Sequence, residues 1–124
     1  MGGRCAIALI SNTDDHLRNH GFLYGSHEGW RLSPTYDLIP VPADIRPRVL
    51  STAIDMDDPT ASIELALSTA VHYGLKRKDA QEIAQQVAGA VANWRDEAAK
   101  LGISARAIHR MASAFEHEDA RKAL

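Results

Sequence analysis

Cysteine is almost missing from this chain: Cys5 stands alone, so no intrachain disulfide and no cysteine-based zinc site can form, a usage that fits a reducing compartment. Long apolar runs are missing too. Nothing approaches the roughly 18 residues a membrane-spanning helix needs, and the amino terminus lacks the basic-then-apolar order of a secretory signal; a cytoplasmic, non-membrane protein is expected. There is no surplus of basic residues. Fourteen Lys and Arg stand against 16 Asp and Glu, for a net charge of −2, whereas domains that grip nucleic-acid phosphates carry an excess of positive charge; direct nucleic-acid binding is not expected. Lysine does not occur before Lys76, and no G-x-G-x-x-G is present. What remains is 124 residues, 45% hydrophobic and 24% charged, enough for one core without covalent staples, and so one domain over 1–124.

The stretch with most chemistry is Ser11-Asn12-Thr13-Asp14-Asp15-His16-Leu17-Arg18-Asn19. Asp14 precedes Asn19 by five positions, the spacing of the catalytic-loop pattern H-R-D-L-x-x-x-N, in which the Asp receives a hydroxyl proton and the Asn holds magnesium. A further acid, Asp37, ends Ser33-Pro34-Thr35-Tyr36-Asp37 and could supply a second magnesium ligand. Magnesium prefers hard oxygen donors, so a carboxylate and an amide oxygen suit it. Two short extended runs, 20–24 and 29–33, flank Gly25-Ser26-His27-Glu28, a turn composition. A hairpin there would return the chain and bring Asp37 toward Asp14 and Asn19.

Before this loop, residues 4–10 read as the last two turns of a buried helix lacking its start, which suggests a missing upstream portion. After it, residues 38–60 hold four of the five prolines and read as loop, with one short extended piece at 49–54. The rest is helical. A first helix is expected from Asp58 as N-cap and Pro59, with Ile63, Leu67, Ala70 and Val71 inward, to Gly74. A second runs from Asp79, paired with Glu82 in a capping box, through Ile83, Val87, Val91, Trp94, Ala98 and Leu101 to Gly102. A third starts at Ser104 and buries Ile108, Met111, Ala112 and Phe115, with a fraying tail from Glu116.

Each chemical reading has a plainer rival. Asp14, Asp15 and Asn19 could merely shape a loop or cap a short helix. Asp14, Asp15, His16, His20 and Asp37 could instead surround zinc, manganese or iron in a hydrolase, although adjacent loop residues rarely point at one ion. His16 is expected to scaffold the loop by bonding backbone or Asp37. Arg18 could meet phosphate oxygens or be an ordinary surface arginine. Trp30, Tyr36 and Trp94 are expected in the core; His27, His72, His109 and His117 show no partner spacing.

Asn12 to Phe22 resembles the T-D-x-H-x-x-N loop of HipA-type serine/threonine kinases, the toxins of HipA/HipB toxin–antitoxin pairs. Gly29 to Leu38 resembles the strand of that family that ends in P-x-Y-D, and the residues from about Leu50 to His117 resemble its helical tail. The resemblance implies a mainly α fold: the helical carboxy-terminal lobe of a protein-kinase-like fold, with one short β-hairpin carrying the catalytic and metal loop (11–40) and a helical subdomain (58–118). It implies Asp14 as catalytic aspartate, Asn19 and Asp37 as magnesium ligands, and ATP as phosphoryl donor, beside which His16 and Arg18 read from their own chemistry as support or phosphate contacts. It also implies a protein Ser/Thr substrate, reported for glutamyl-tRNA synthetase, and a HipB-like antitoxin partner. The missing glycine-rich loop and strand lysine predict that this chain alone has little activity. A non-catalytic helical module, binding an antitoxin or self-associating, is the alternative.

Overall fold

Gly2–Leu9 form α1 in the computed structural model, which describes residues 1–124. Cys5, Ile7, Ala8 and Leu9 are all buried, because a helix that is apolar nearly all round belongs inside a protein. Its end is a Schellman turn: Asn12 N–H donates to Ile7 O at 2.9 Å and Ser11 N–H to Ala8 O at 3.4 Å. That turn requires a left-handed residue, normally glycine, at the position of Ser11. Ser11 adopts it with φ 54°. Its hydroxyl earns the place by donating to Ala114 O at 2.9 Å and accepting from Arg48 Nε at 3.1 Å.

The expected hairpin is present as β1, Phe22–Gly25, and β2, Gly29–Leu32, paired antiparallel with Phe22 opposite Leu32 and Tyr24 opposite Trp30. Gly29 has φ 73°, a conformation that suits glycine at the end of the turn. Opposed residues share a face, so Phe22, Tyr24, Trp30 and Leu32 make one apolar surface, with Tyr24 and Trp30 ring centroids 5.3 Å apart. This face is not covered. Trp30 is 71% exposed, which corrects its assignment to the core: a two-stranded ribbon has only one layer, and nothing in the chain packs on that side.

The helical half comprises α2 (Ile63–Ser68), a 3-10 segment (Thr69–Tyr73), α3 (Arg77–Ala92), α4 (Trp94–Lys100), α5 (Ala105–Arg110), α6 (Ala112–Phe115) and α7 (Glu118–Ala123). The core joins Cys5 and Leu9 of α1 to Ile63 and Leu67 of α2, the Ala80, Ala84 and Ala88 row of α3, and Ala123 of α7. Small side chains spaced four apart let α1 approach α3 closely, so the alanines, and not the expected Ile83, Val87 and Val91, face the centre; those three flank it, half-buried.

Several helix boundaries differ from expectation. The first helix starts at Ser62, whose hydroxyl accepts from Leu65 N–H at 3.4 Å; Asp58 instead accepts from Thr60 N–H, closing a local turn. Val71 faces out. The N-cap of α3 is Lys76, with Asp79 inside the first turn, and the helix breaks at Asn93, leaving Leu101 81% exposed. Trp94 is half-buried, stacked on Phe115 with centroids 4.4 Å apart. In place of an extended piece at 49–54 there is a single bridge between Val49 and Thr60. Ser104 does cap α5, accepting from Ala107 N–H.

The expected frayed tail is instead a helix docked against the core. Arg48 donates through Nη1 to Asp119 Oδ2 at 2.6 Å and through Nη2 to Ala8 O at 2.8 Å, while Asp119 Oδ1 accepts from Ile63 N–H at 2.9 Å and caps α2. His117, read as unpartnered from sequence, bonds Leu9 O through Nε2 at 3.0 Å and accepts from Ala120 N–H at Nδ1. Both bonds require the neutral ring with its proton on Nε2. Burial first, then the Arg48 charge, lowers the His117 pKa below 6.5. The unfolded chain therefore takes up this proton first as pH falls, so the contribution is complete above about pH 6.5 and is lost below it, toward the lower folded value. Burial raises the Asp119 pKa, but the Arg48 and Ile63 hydrogen bonds and the Arg48 charge outweigh it and leave it below 3.8; that contribution is lost in stronger acid. Melting temperatures measured between about pH 5 and 8 should fall on the acid side, and His117→Gln should flatten that slope; an unchanged slope in the variant would exclude His117 as its source.

Candidate functional site

The Schellman turn at Ser11 throws the chain out of α1 and into the loop that bears Asp14. Asn12, Thr13 and Asp15 are buried, while the Asp14 side chain between them is 63% exposed and meets Arg46 Nη1 at 3.4 Å. A short 3-10 turn, Leu17–Asn19, follows. Asn19 is 7% exposed, and its amide is fixed at both ends: Oδ1 accepts from His16 N–H at 3.1 Å and Nδ2 donates to Asp37 Oδ2 at 2.5 Å. Flipping the amide would oppose oxygen to carboxylate and NH2 to N–H, so these two contacts together define its orientation.

The hairpin returns the chain as expected, and Asn19 and Asp37 meet across 18 positions of sequence. Gly21 makes room at its base, since a Cβ there would lie 3.3 Å from Ser33 Oγ and 3.4 Å from the Tyr36 hydroxyl. Tyr36, 46% exposed and so not a core residue, donates through its hydroxyl to Arg18 O at 2.7 Å, a second tie between the loop and the segment after β2. Asp37 has φ 57°. A non-glycine residue in the left-handed region is uncommon, and Asp tolerates it better than most. Such residues persist where the surroundings hold them, often at functional sites.

Not every expected contact forms. His16 does not bond Asp37; its Nδ1 is buried without a hydrogen-bond partner, as are the Asn12 amide and the Thr13 hydroxyl. The histidine that bonds a buried acid here is His20, whose Nε2 lies 3.0 Å from Asp15 Oδ2, with Arg4 Nη1 of α1 3.4 Å from the same oxygen. No sequence spacing announced this trio: Arg4 sits in a buried helix, and Asp15 and His20 looked like loop residues. The rival hydrolase arrangement does not form, because no three His, Cys, Asp or Glu side chains come together as metal ligands. Arg18 is exposed.

Asn19 and Asp37 remain as one amide and one carboxylate joined at their edges, with the second Asp37 oxygen free of protein hydrogen bonds. In this orientation Asn19 turns its NH2 to Asp37 and its oxygen to His16 N–H, so the pair presents one free carboxylate oxygen, and rotation of the amide would add the second hard oxygen that magnesium takes. The family described as HipA-like C-terminal domain matches residues 4–95, a span that contains most of α1, the loop, the hairpin and α2 to the start of α4. The chain belongs to the HipA family. HipA proteins are in general kinases of toxin–antitoxin systems. No curated protein and no solved structure matches the chain. The HipA match ends before α5, α6 and α7, although α7 packs on α1 and supplies Asp119. The structure is mainly helical with a single antiparallel hairpin, and no helix is long and apolar enough to cross a membrane.

Proposed function

We propose that loop 11–20 and residue 37 form the metal and acceptor end of a phosphoryl-transfer site in the carboxy-terminal lobe of a kinase-like fold. Asn19 and Asp37 hold a magnesium ion on the phosphates of ATP, and Asp14 receives the proton of an incoming protein serine or threonine hydroxyl. The observation that carries this reading is the 2.5 Å contact between Asn19 and Asp37, made by a residue in left-handed conformation at the base of a hairpin whose length serves to bring the two together. Magnesium bound there supplies neutralisation of phosphate charge, which is most of what phosphoryl transfer asks of a protein. Asp14 suits proton acceptance because its carboxylate is exposed and within the loop that bears Asn19. Its only ion-pair partner, Arg46, is itself half-exposed at 3.4 Å, a contact that solvent screens and an acceptor can displace. Arg18, exposed beside Asn19, provides positive charge toward phosphate oxygens; His16 contributes its backbone N–H to Asn19.

A protein acceptor of the glutamyl-tRNA synthetase kind and a HipB-like antitoxin complete the proposal as the partners that HipA kinship implies. With no glycine-rich loop and no lysine before Lys76, this chain should bind magnesium-ATP weakly. Calorimetric titration with magnesium and ATP tests the site: Asp37→Ala should weaken binding about tenfold or more relative to wild type, and superimposable isotherms for the two proteins reject it. A second reading, a helical interaction module, is favoured by one observation, the apolar groove of about 440 Å³ lined by Trp94, Ala98, Leu101, Ile103, Ile108 and Met111 among others. If antitoxin binding is lost in Leu101→Asp but unaffected by Asp14→Ala, that reading describes the helical half.

A further inference from the structure

We infer that Asp15, His20 and Arg4 are positioning residues that set the separation of Asp14 and Asn19 before any ligand arrives; this rests on the phosphoryl-transfer reading above. Asp15 follows Asp14 in the chain and His20 follows Asn19. The 3.0 Å contact between Asp15 Oδ2 and His20 Nε2 therefore closes the base of the segment whose ends bear the two functional side chains. Within that closed segment the 3-10 turn supplies the remaining ties, Asn19 N–H to His16 O at 2.8 Å and His20 N–H to Leu17 O at 3.2 Å. Arg4, 3.4 Å from the same Asp15 oxygen, fastens the closed segment to α1, the most deeply buried helix of the fold.

Burial argues that this arrangement has a purpose beyond stability. The Asp15 side chain is 3% exposed, and a buried carboxylate paired with a cation such as Arg4 often contributes little net stability compared with an apolar residue in its place. What it provides is geometry: two donors converge on one oxygen, and the flanking residues, Asp14 outward and Asn19 inward, inherit fixed directions. Groups that hold metal ligands from behind commonly govern metal affinity even though they never touch the ion.

Two amide substitutions separate reach from bulk. The Gln side chain can present its NH2 where His20 Nε2 lies; the Asn side chain is shorter and mimics only the Nδ1 side of the ring. Manganese broadening of the Asn19 and Asp37 amide signals, followed by NMR in the full chain, gives the affinity of the site for the metal alone. His20→Asn should weaken it about tenfold, and His20→Gln should restore it to near the wild-type value, with melting temperatures of the two variants alike. A role limited to stability would move melting temperature and leave the affinity of folded protein unchanged. Wild-type affinity in His20→Asn, with loss of broadening in Asp37→Ala, overturns the positioning role and leaves the metal site standing. Failure of manganese to broaden either signal in the wild type rejects the metal site, and the positioning role with it.

Discussion

Replacement of Arg48 by alanine should lower the unfolding free energy by about 3 kcal/mol, read as a drop in the urea midpoint at unchanged slope. The guanidinium makes three contacts with different parts of the fold: Asp119 of α7, the Ala8 carbonyl near the end of α1, and the Ser11 hydroxyl in the left-handed turn. Arg48 and Asp119 are 18% and 15% exposed, so removing the cation leaves a carboxylate largely out of water without its counter-ion. That loss exceeds what an exposed pair of the same length would show. The Ala8 carbonyl also loses its donor. Arg48→Lys should recover only part of the difference, because an ammonium cannot offer the three-way fork that matches these acceptors. A loss below about 1 kcal/mol in the alanine variant would mean that the pair is no better than a surface ion pair and that α7 is held by its apolar contacts alone.

Leu9→Ala should cost about 4 kcal/mol, near the upper part of the range for such truncations, measured in the same denaturation experiment. Leu9 is fully buried, and the α3 row beside it is made of Ala80, Ala84 and Ala88. Alanines have no rotamers with which to fill the space that the lost methyl groups leave, so the cavity stays open and the full cavity penalty applies. The substitution also bears on the site. Leu9 is the last residue of α1, its carbonyl is the partner of His117, and the loop of Asp14 begins two residues on. A loosened α1 end should therefore show increased amide exchange through 11–15 as well as a lower midpoint; a loss of about 2 kcal/mol or less would indicate that α1 and α3 collapse onto each other.

The loop and hairpin were legible because their signals are local. A turn composition between two short extended runs fixes the return of the chain, and the spacing of Asp14, Asn19 and Asp37 needs nothing from the rest of the molecule. The hairpin accordingly brings Asn19 beside Asp37, while the Asp14 side chain turns outward to Arg46. His16 caps the 3-10 turn with its Nδ1 out of solvent but does not reach Asp37, and the bond of His20 to Asp15 could not be read locally. A 3-10 turn separates the two histidines, and which ring finds a charged partner depends on where Arg4 and Asp15 lie.

The helical half shows the same division. Periodicity announced helices at Ile63, Ile83 and Ile108, but it put the larger residues Ile83, Val87 and Val91 at the centre, where alanines lie. A hydrophobic stripe reports that one side is apolar; how closely a neighbour approaches decides which row of that stripe is covered. Trp30 and Leu101 were misplaced for the complementary reason, since an apolar side chain declares a preference for burial without supplying the surface that would bury it.

The amino-acid order by itself determined that the chain is mainly helical with no intrachain disulfide, that a hairpin follows the Asp14 loop, and that the chain has HipA kinship, because composition, turn chemistry and short motifs act over a few residues. Tertiary structure alone decided that α7 docks through Arg48 and Asp119, that His117 is held neutral between Leu9 and Ala120, and that Asp15 joins His20 and Arg4. Those contacts join residues up to 108 positions apart in sequence, and partners so distant are chosen by the packing of whole helices, which no local pattern encodes.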